Sequence, residues 1–377
     1  MNKITVVRAD TPKRMNDFLD IPEHIYCGCA QYVPDMRSDI RRLFDSRYNA
    51  GLEFSSVMPF VAYQGTVPVG RIVGVVNRKA NTTWNQAIVR FSMIEFIDLP
   101  EVSAALLNTV AQWGRKQGMD TLQGPMGITD FDKEGMLVED FDLTGSMTAY
   151  YNHTYYPQHM ELLGFQKEVD WLQVRINIPQ EVPAKFARVA QYARESVGLK
   201  VKKVSAHDIL KGGYGQRIFN LLNEAYAPIF GFSALSARQA EEFLKKYVPL
   251  LDMRLVPLIE NADGELVGIA VTLPSLAHAL QQSRGRLWPF GWWPLLRSMK
   301  WQHEGSTELL LIAVRPDYQG LGVNALFFDD LIPTYNRCGY TWAETGPQLE
   351  DNIKELSQWK PLNPTYVKRR RCYKKKL

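Results

Sequence analysis

The stretch ELLLIAVRPDYQGLGVNALF, residues 308–327, passes from an apolar run with strand character through a bend holding two glycines into an apolar stretch at helical spacing. A cradle for a phosphate needs consecutive backbone N–H groups aimed at one point, glycine where a side chain would block the ligand, and a helix start with its positive dipole end. Gln319-Gly320-Leu321-Gly322-Val323-Asn324 meets all three requirements. A tight turn between two ordinary elements also wants glycine, for steric reasons, so these residues alone leave both readings open.

Outward from this stretch, the chain repeats itself. PFVAYQGTVPVGRI from Pro59 and PLIENADGELVGIA from Pro257 each place an apolar strand, a polar turn and a second apolar strand in one register, with proline and glycine eleven residues apart. That is a β-hairpin written twice. GMDTLQGP (118–125) and GYTWAETGP (339–347) each close a short strand with Gly-Pro after a helix-like stretch. The helix slot between these landmarks holds PEVSAALLNTVAQWGRKQG in the first half and VNALFFDDLIPTYNRCG in the second. Both halves therefore read strand, helices, hairpin, strand, helix, strand, helix, strand, an α/β unit with a mixed sheet. The Pro-containing stretch around Pro179 and Pro183 is the natural linker, which sets domains at 1–182 and 183–377.

Composition fits this organisation: 377 residues, 46% hydrophobic, 11% aromatic and 22% charged, describe an ordinary globular chain of about two domains. No apolar run reaches the roughly 18 residues that a membrane span needs, and the N-terminus lacks the apolar core of a signal peptide, so the expected compartment is the cytoplasm. Cys27, Cys29, Cys338 and Cys372 are too scattered for a disulfide framework or a zinc site, and no metal is expected. The net charge of +4 is modest, and its basic excess lies largely in KRRRCYKKK at 368–376, read as a solvated edge strand and tail. Nucleic acid is not expected as a partner.

The stretch at 308–327 resembles motif A of the GNAT superfamily of acyl-CoA N-acyltransferases, in which a strand ending in valine is followed five residues later by Gln/Arg-x-x-Gly-x-Gly/Ala. Val314 precedes Gln319 by five, and Asn324 stands where the family prefers Gly or Ala. The order of elements is also that of the GNAT fold, and the whole chain resembles a group of bacterial proteins with two such domains. The resemblance implies tandem acyl-CoA N-acyltransferase folds, with acetyl-CoA or another acyl-CoA as co-substrate. Its pyrophosphate would lie on the amides of Gly320, Leu321, Gly322, Val323 and Asn324, beside Gln319, and its pantetheine arm would pair with Val314. Asn352 matches the asparagine that opens the family's motif B. Seven residues further on, where many members carry a tyrosine acid, this chain has Trp359. The corresponding bend of the first half, IDLPEV, lacks glycine and carries Asp98, Pro100 and Glu101, which repel a pyrophosphate and remove a donor. The first domain is expected to be a degenerate copy that supports the site of the second; its insertion MGITDFDKEGMLVEDFDLTGSMTAYYNHTYYPQHM has the length and polarity of a functional loop.

Acylation of an amine by a thioester needs a base for the ammonium proton. Glu308 occupies the position where some GNAT enzymes place a glutamate base, and strict alternation would set Glu308, Leu310, Ile312 and Val314 on one face. Glu344 in WAETG, on the next strand, is the rival. His278 and His303 flank a long insertion and read as structural. That insertion interleaves Trp288, Phe290, Trp292, Trp293 and Trp301 with Arg284, Arg286, Arg297 and Lys300. It suits peripheral membrane contact through 284–301, an apolar acyl or aromatic substrate, nucleic acid, or a lid or interdomain plug that buries the rings. The expected activity is acyl-CoA-dependent transfer to a small-molecule amine whose identity no motif specifies. The alternatives are a GNAT-like protein that binds ligand without turnover, favoured by Asn324 and Trp359, and a tandem-GNAT aminoacyl transferase using charged tRNA.

Overall fold

The computed structural model describes residues 3–301 and 304–377. The first half runs β1 (Ile4–Arg8), α1 (Pro12–Ile25), α2 (Arg37–Leu43), the hairpin β2 (Ser55–Gln64) and β3 (Val67–Asn77), α3 (Arg78–Thr83), β4 (Ile88–Phe96), α4 (Pro100–Arg115), β5 (Thr121–Gly124), β6 (Met136–Leu137), α5 (Tyr155–Leu162) and β7 (Gln166–Asn177). The second runs α6 (Ala184–Glu195), β8 (Lys200–Lys202), α7 (Ala206–Leu210), α8 (Tyr214–Tyr226), α9 (Ala237–Tyr247), the hairpin β9 (Leu258–Glu260) and β10 (Leu266–Pro274), α10 (Ala277–Ser283), α11 (Trp292–Lys300), β11 (Ser306–Val314), α12 (Val323–Cys338), β12 (Trp342–Thr345), β13 (Gln348–Leu349), α13 (Ile353–Ser357) and β14 (Thr365–Lys376).

The repeat is present in the pairing as well as in the order. β1-β2-β3-β4-β5 and β8-β9-β10-β11-β12 are the same path, antiparallel except for the parallel pairs β4–β5 and β11–β12. Both hairpins form where the polar turns lie, around Gly65 at φ +64° and Gly264 at φ +78°.

Each half, however, takes its next strand from the other. The C-terminal residues of β14 pair with β5, and the last residues of β7 pair with β12. The compact units are accordingly discontinuous: one comprises the chain to Leu172 with Ala277–Trp292 and Lys368–Leu377, the other Gln173–Leu276 with Trp293–Val367. The expected boundary at 182/183 lies in the linker after β7, whereas the units part inside that strand. The basic tail is therefore no edge. In the first unit it runs between β5 and β7, with Lys368 and Arg370 buried, and Arg371 binds the buried Asp170 carboxylate at 2.9 and 3.0 Å.

The core of the first unit is set by helix–sheet approach. α4 starts on Pro100, whose missing N–H would lack an intrahelical partner anyway, and buries Val102, Leu106 and Val110 at helical spacing. Gly70 and Gly74 on β3 let it close in: a Cβ on Gly70 would stand 2.9 Å from Leu106, and one on Gly74 2.8 Å from Trp113. Each such aliphatic burial stabilises by about 1.5–3 kcal/mol. In the second unit Gly268 on β10 does the same for α12, where a Cβ would lie 2.6 Å from Val323. No helix among the described residues is long and apolar enough to cross a membrane.

Candidate functional site

β11 ends at Val314, and the chain turns through Pro316–Tyr318 before Gly320 at φ +83° and Gly322 at φ +90° lead into α12. Arg315 fixes the approach by bonding Asp317 (2.8 Å) and Glu265 (3.1 Å). The Leu321 amide closes the turn on Tyr318 O at 3.2 Å, and the Leu326 amide makes a helical bond to Gly322 O at 3.2 Å. Between them the amides of Val323, Asn324 and Ala325 belong to the helix's first turn, where no intrahelical acceptor exists. The two glycines are not equivalent. A Cβ on Gly320 would meet nothing within 4 Å, whereas one on Gly322 would press on Ala193 (3.0 Å) and Val189 (3.1 Å) of α6. Gly320 thus faces open space, and Gly322 is a packing contact.

The loop stands beside a break in the sheet. The parallel pairing of β11 with β12 stops at Leu309–Thr345, the Gly346 amide bonds Leu309 O at 2.9 Å, and β11 continues to Val314 without β12 alongside. Past this splay β11 runs on to the amide loop half-buried, with Ile312 O accepting from the Tyr226 hydroxyl at 3.1 Å. Gln319 reaches back to Val314 O at 3.4 Å.

Asn324 sits inside the first turn of α12, and its Nδ2 donates to Gln358 Oε1 at 2.8 Å. Its side chain is thereby held on the segment after α13. Asn352 caps α13, accepting from the Glu355 amide at 3.2 Å. Trp359 is fully buried, its Nε1–H donates to Gln348 Oε1 at 3.0 Å, and its ring meets Phe328 edge-on at 5.4 Å. It is a core residue.

The two candidate bases are lateral neighbours. Glu308 and Glu344 are register partners on β11 and β12, both buried, one residue before the splay. Adjacent strands stand about 4.8 Å apart, so two bare carboxylates there would repel strongly. Arg175 on β7 relieves this by binding Glu344 Oε2 at 2.8 and 3.2 Å, while Gln173 donates to Oε1 at 3.1 Å. Glu308 accepts from Ser275 Oγ at 3.3 Å. The expected alternation along β11 fails at one point: Val271 pairs with Leu311 and Thr272 with Leu309, so Leu310 is a bulge. The extra residue reverses the phase, and Glu308 shares its face with Leu311 and Ala313, not with Ile312 and Val314. His278 is bonded to Gln281 at 3.1 Å, and His303 lies outside the described residues.

In the first unit the equivalent helix start carries its own anion. Asp98 Oδ1 accepts from His159 Nε2 at 2.9 Å, and His159 Nδ1 lies 2.8 Å from the fully buried Ser103 Oγ, a chain that ties α5 to α4. Sequence reasoning passed over a buried carboxyl of this unit, Glu95. It is the cross-strand partner of Arg71 and is bonded by the hydroxyls of Tyr26 and Tyr156, the latter at 3.0 Å. Burial pushes its carboxyl up to about 7, against the opposing pull of Arg71. The readable signal was a lone acid inside the apolar strand SMIEF.

The fold is that of two GNAT domains in tandem. A tandem GNAT protein from the clavulanic acid biosynthesis pathway superposes with a TM-score of 0.59 at 11% identity, covering 99% of this chain and 98% of that one. A GCN5-related N-acetyltransferase from Sphaerobacter thermophilus gives 0.54 at 11% identity, covering 99% and 95%. No protein-family model matches the chain. By sequence it is similar to the bacterial ceramide synthase of Caulobacter vibrioides, 24% identical over 84% of this chain and 82% of the relative. It is likewise similar to Protein YghO of Escherichia coli, 25% identical over 96% and 92%.

Proposed function

We propose that the protein is an acyl-CoA-dependent N-acyltransferase whose donor site lies in the second domain. The observation that carries this reading is the amide loop Gly320–Asn324 opening beside the β11–β12 splay, which offers anion-binding N–H groups and a strand edge in one place. The pyrophosphate of the thioester would take the first-turn amides of α12, and its amide arm would run along β11 towards Leu310. Glu308, one residue short of the splay, would accept the proton of the attacking amine. The amine nitrogen bonds to the thioester carbonyl carbon, the C–S bond breaks, and the departing thiolate takes a proton from water or from the zwitterionic intermediate. Glu344, held by Arg175, is the less suited base. The similarity to a protein named ceramide synthase favours an acceptor amine borne on a long apolar chain, a ceramide being the amide of a long-chain amino alcohol. Cytosolic acyl-CoA would supply the donor.

Calorimetric titration with acetyl-CoA and palmitoyl-CoA tests the site, and thiol release with sphinganine and with short amines tests the chemistry. Absence of acyl-CoA binding would overturn the assignment. Binding without thiol release across the amines would favour a ligand-binding protein, the reading that the engagement of Asn324 by Gln358 and the burial of Trp359 support.

A further inference from the structure

We infer that the segment from Arg284 to Trp301 seats the protein on the surface of an anionic phospholipid bilayer. Among the described residues fifteen large apolar side chains are exposed, and six of them fall in this one stretch: Leu287, Trp288, Phe290, Trp292, Trp293 and Trp301. Trp288 is 82% exposed and Phe290 76%, values at which the rings contribute almost nothing to packing. Scattered single exposed apolar residues are ordinary, but a run of them marks a surface that something covers.

The run is presented by a fixed base. Gly285, at φ +65°, lies so close to its support that a Cβ would stand 2.1 Å from Asp35 O, and its own carbonyl accepts from the Arg37 amide at 2.9 Å. Gln281 donates to Ala30 O (2.7 Å) and Tyr32 O (3.0 Å), and Arg286 binds Glu23 at 2.8 Å. The Trp292 amide closes the loop on Leu287 O at 3.1 Å. Ordering entropy is thus already spent before any partner arrives. Trp288 and Phe290 are therefore not a plug that folds inward; they stand out from an anchored loop.

Chemistry selects the occupant. No Asp or Glu occurs from Ser275 to His303, while Arg284, Arg286, Arg297 and Lys300 do. Arg286 is engaged by Glu23, so Arg284, Arg297 and Lys300 are the cations counted towards lipid phosphates. Indole and phenyl rings flanked by cations are the composition of the interfacial belt, where an amphipathic ring lies at headgroup level. Single-stranded nucleic acid also accepts aromatics and cations, but Leu287, Leu295, Leu296 and Met299 of the same stretch offer nothing for a base to stack on and suit acyl chains.

Flotation of the full chain with vesicles tests this without any acyl transfer, so its failure is separate from failure of the proposed activity. The parent protein is expected to float with phosphatidylcholine–phosphatidylglycerol vesicles and far less with phosphatidylcholine alone. The double variant W288S/F290S should lose at least about tenfold in partitioning with an unchanged urea midpoint, since neither ring packs in the fold. Arg297→Gln and Lys300→Gln should each cost about fivefold, the equivalent of roughly 1 kcal/mol per cation, and the loss should shrink at high salt. No flotation of the parent on either vesicle, or equal flotation of the aromatic variant, overturns the inference. So does a vesicle-free, concentration-dependent dimer that W288S/F290S abolishes while no protein floats, which would make the patch a self-association surface.

Discussion

Gly320 allows a test of the anion site in which only one charge changes. At φ +83° and with nothing within 4 Å of a Cβ, the position admits a short polar side chain at the cost of backbone strain alone, on the order of 1 kcal/mol. Asparagine and aspartate tolerate this conformation best and have the same shape, so Gly320→Asn and Gly320→Asp share that strain and differ by one negative charge. A carboxylate about 6 Å from a bound phosphate, at an effective dielectric of about 40, repels each phosphate charge by about 1.4 kcal/mol, a factor of ten in affinity. Calorimetric titration with acetyl-CoA at low ionic strength should place Gly320→Asn within about threefold of the parent and Gly320→Asp at least about tenfold weaker than Gly320→Asn. Raising the salt should narrow the gap, because the pair is exposed to a Debye length of about 8 Å at 0.15 M. Equal affinities for the two variants at low salt would refute pyrophosphate binding at this loop. Gly322 would be the wrong choice: a side chain there pushes on Ala193 and Val189, mixing affinity with folding.

Four further outcomes follow from the geometry. Glu308→Gln should lower turnover by roughly 10²-fold near neutral pH with acyl-CoA affinity unchanged, and parent rates in both Glu308→Gln and Glu344→Gln would sink the carboxylate-base mechanism. Glu344→Gln should instead lower the urea midpoint, by about 1.5–3 kcal/mol of stability, because Arg175 loses its charged partner. Trp359→Phe removes the bond to Gln348 and should cost about 1–2 kcal/mol in urea unfolding without changing the rate per folded molecule; a collapse of the rate alone would give Trp359 a chemical role. Glu95 titrates near 7 when folded and near 4.5 when unfolded, so the folded state holds the extra proton in between; stability should fall as pH rises from about 5 to about 8, by up to about 3 kcal/mol, and Glu95→Gln should flatten that slope in urea midpoints.

What the sequence made legible was whatever local chemistry dictates. The hairpins at Pro59 and Pro257, the glycine bend at 320–322 and the proline-started α4 all follow from turn residues and periodicity, and all form where those signals lie. What it concealed is non-local. Nothing in KRRRCYKKK distinguishes an edge strand from one sheltered between β5 and β7, because burial of Lys368 and Arg370 depends on strands nearly two hundred residues or more away in the chain. The bulge at Leu310 is equally silent, since three consecutive leucines carry no phase. Glu308 and Glu344 were singled out separately. That they are register partners, and that Arg175 engages one of them, needed the strand exchange to bring β7 beside β12.

That exchange also governs how the polypeptide matures during synthesis. β5 ends at Gly124, yet β14, which pairs with it, is made only long afterwards, with Lys376 opposite Thr121. At roughly 5–20 residues per second, a ribosome leaves the edge of β5 without its native neighbour for tens of seconds. Through that interval an unpaired sheet edge is open to incorrect pairing, a hazard usually managed by closure or charge. The lysines and arginines of β14 then serve a second purpose: a segment this cationic resists pairing with itself while it waits to dock. Loss of a few C-terminal residues should accordingly damage the N-terminal unit first, and a nascent chain stalled before residue 365 should be protease-sensitive in the half that was translated earliest.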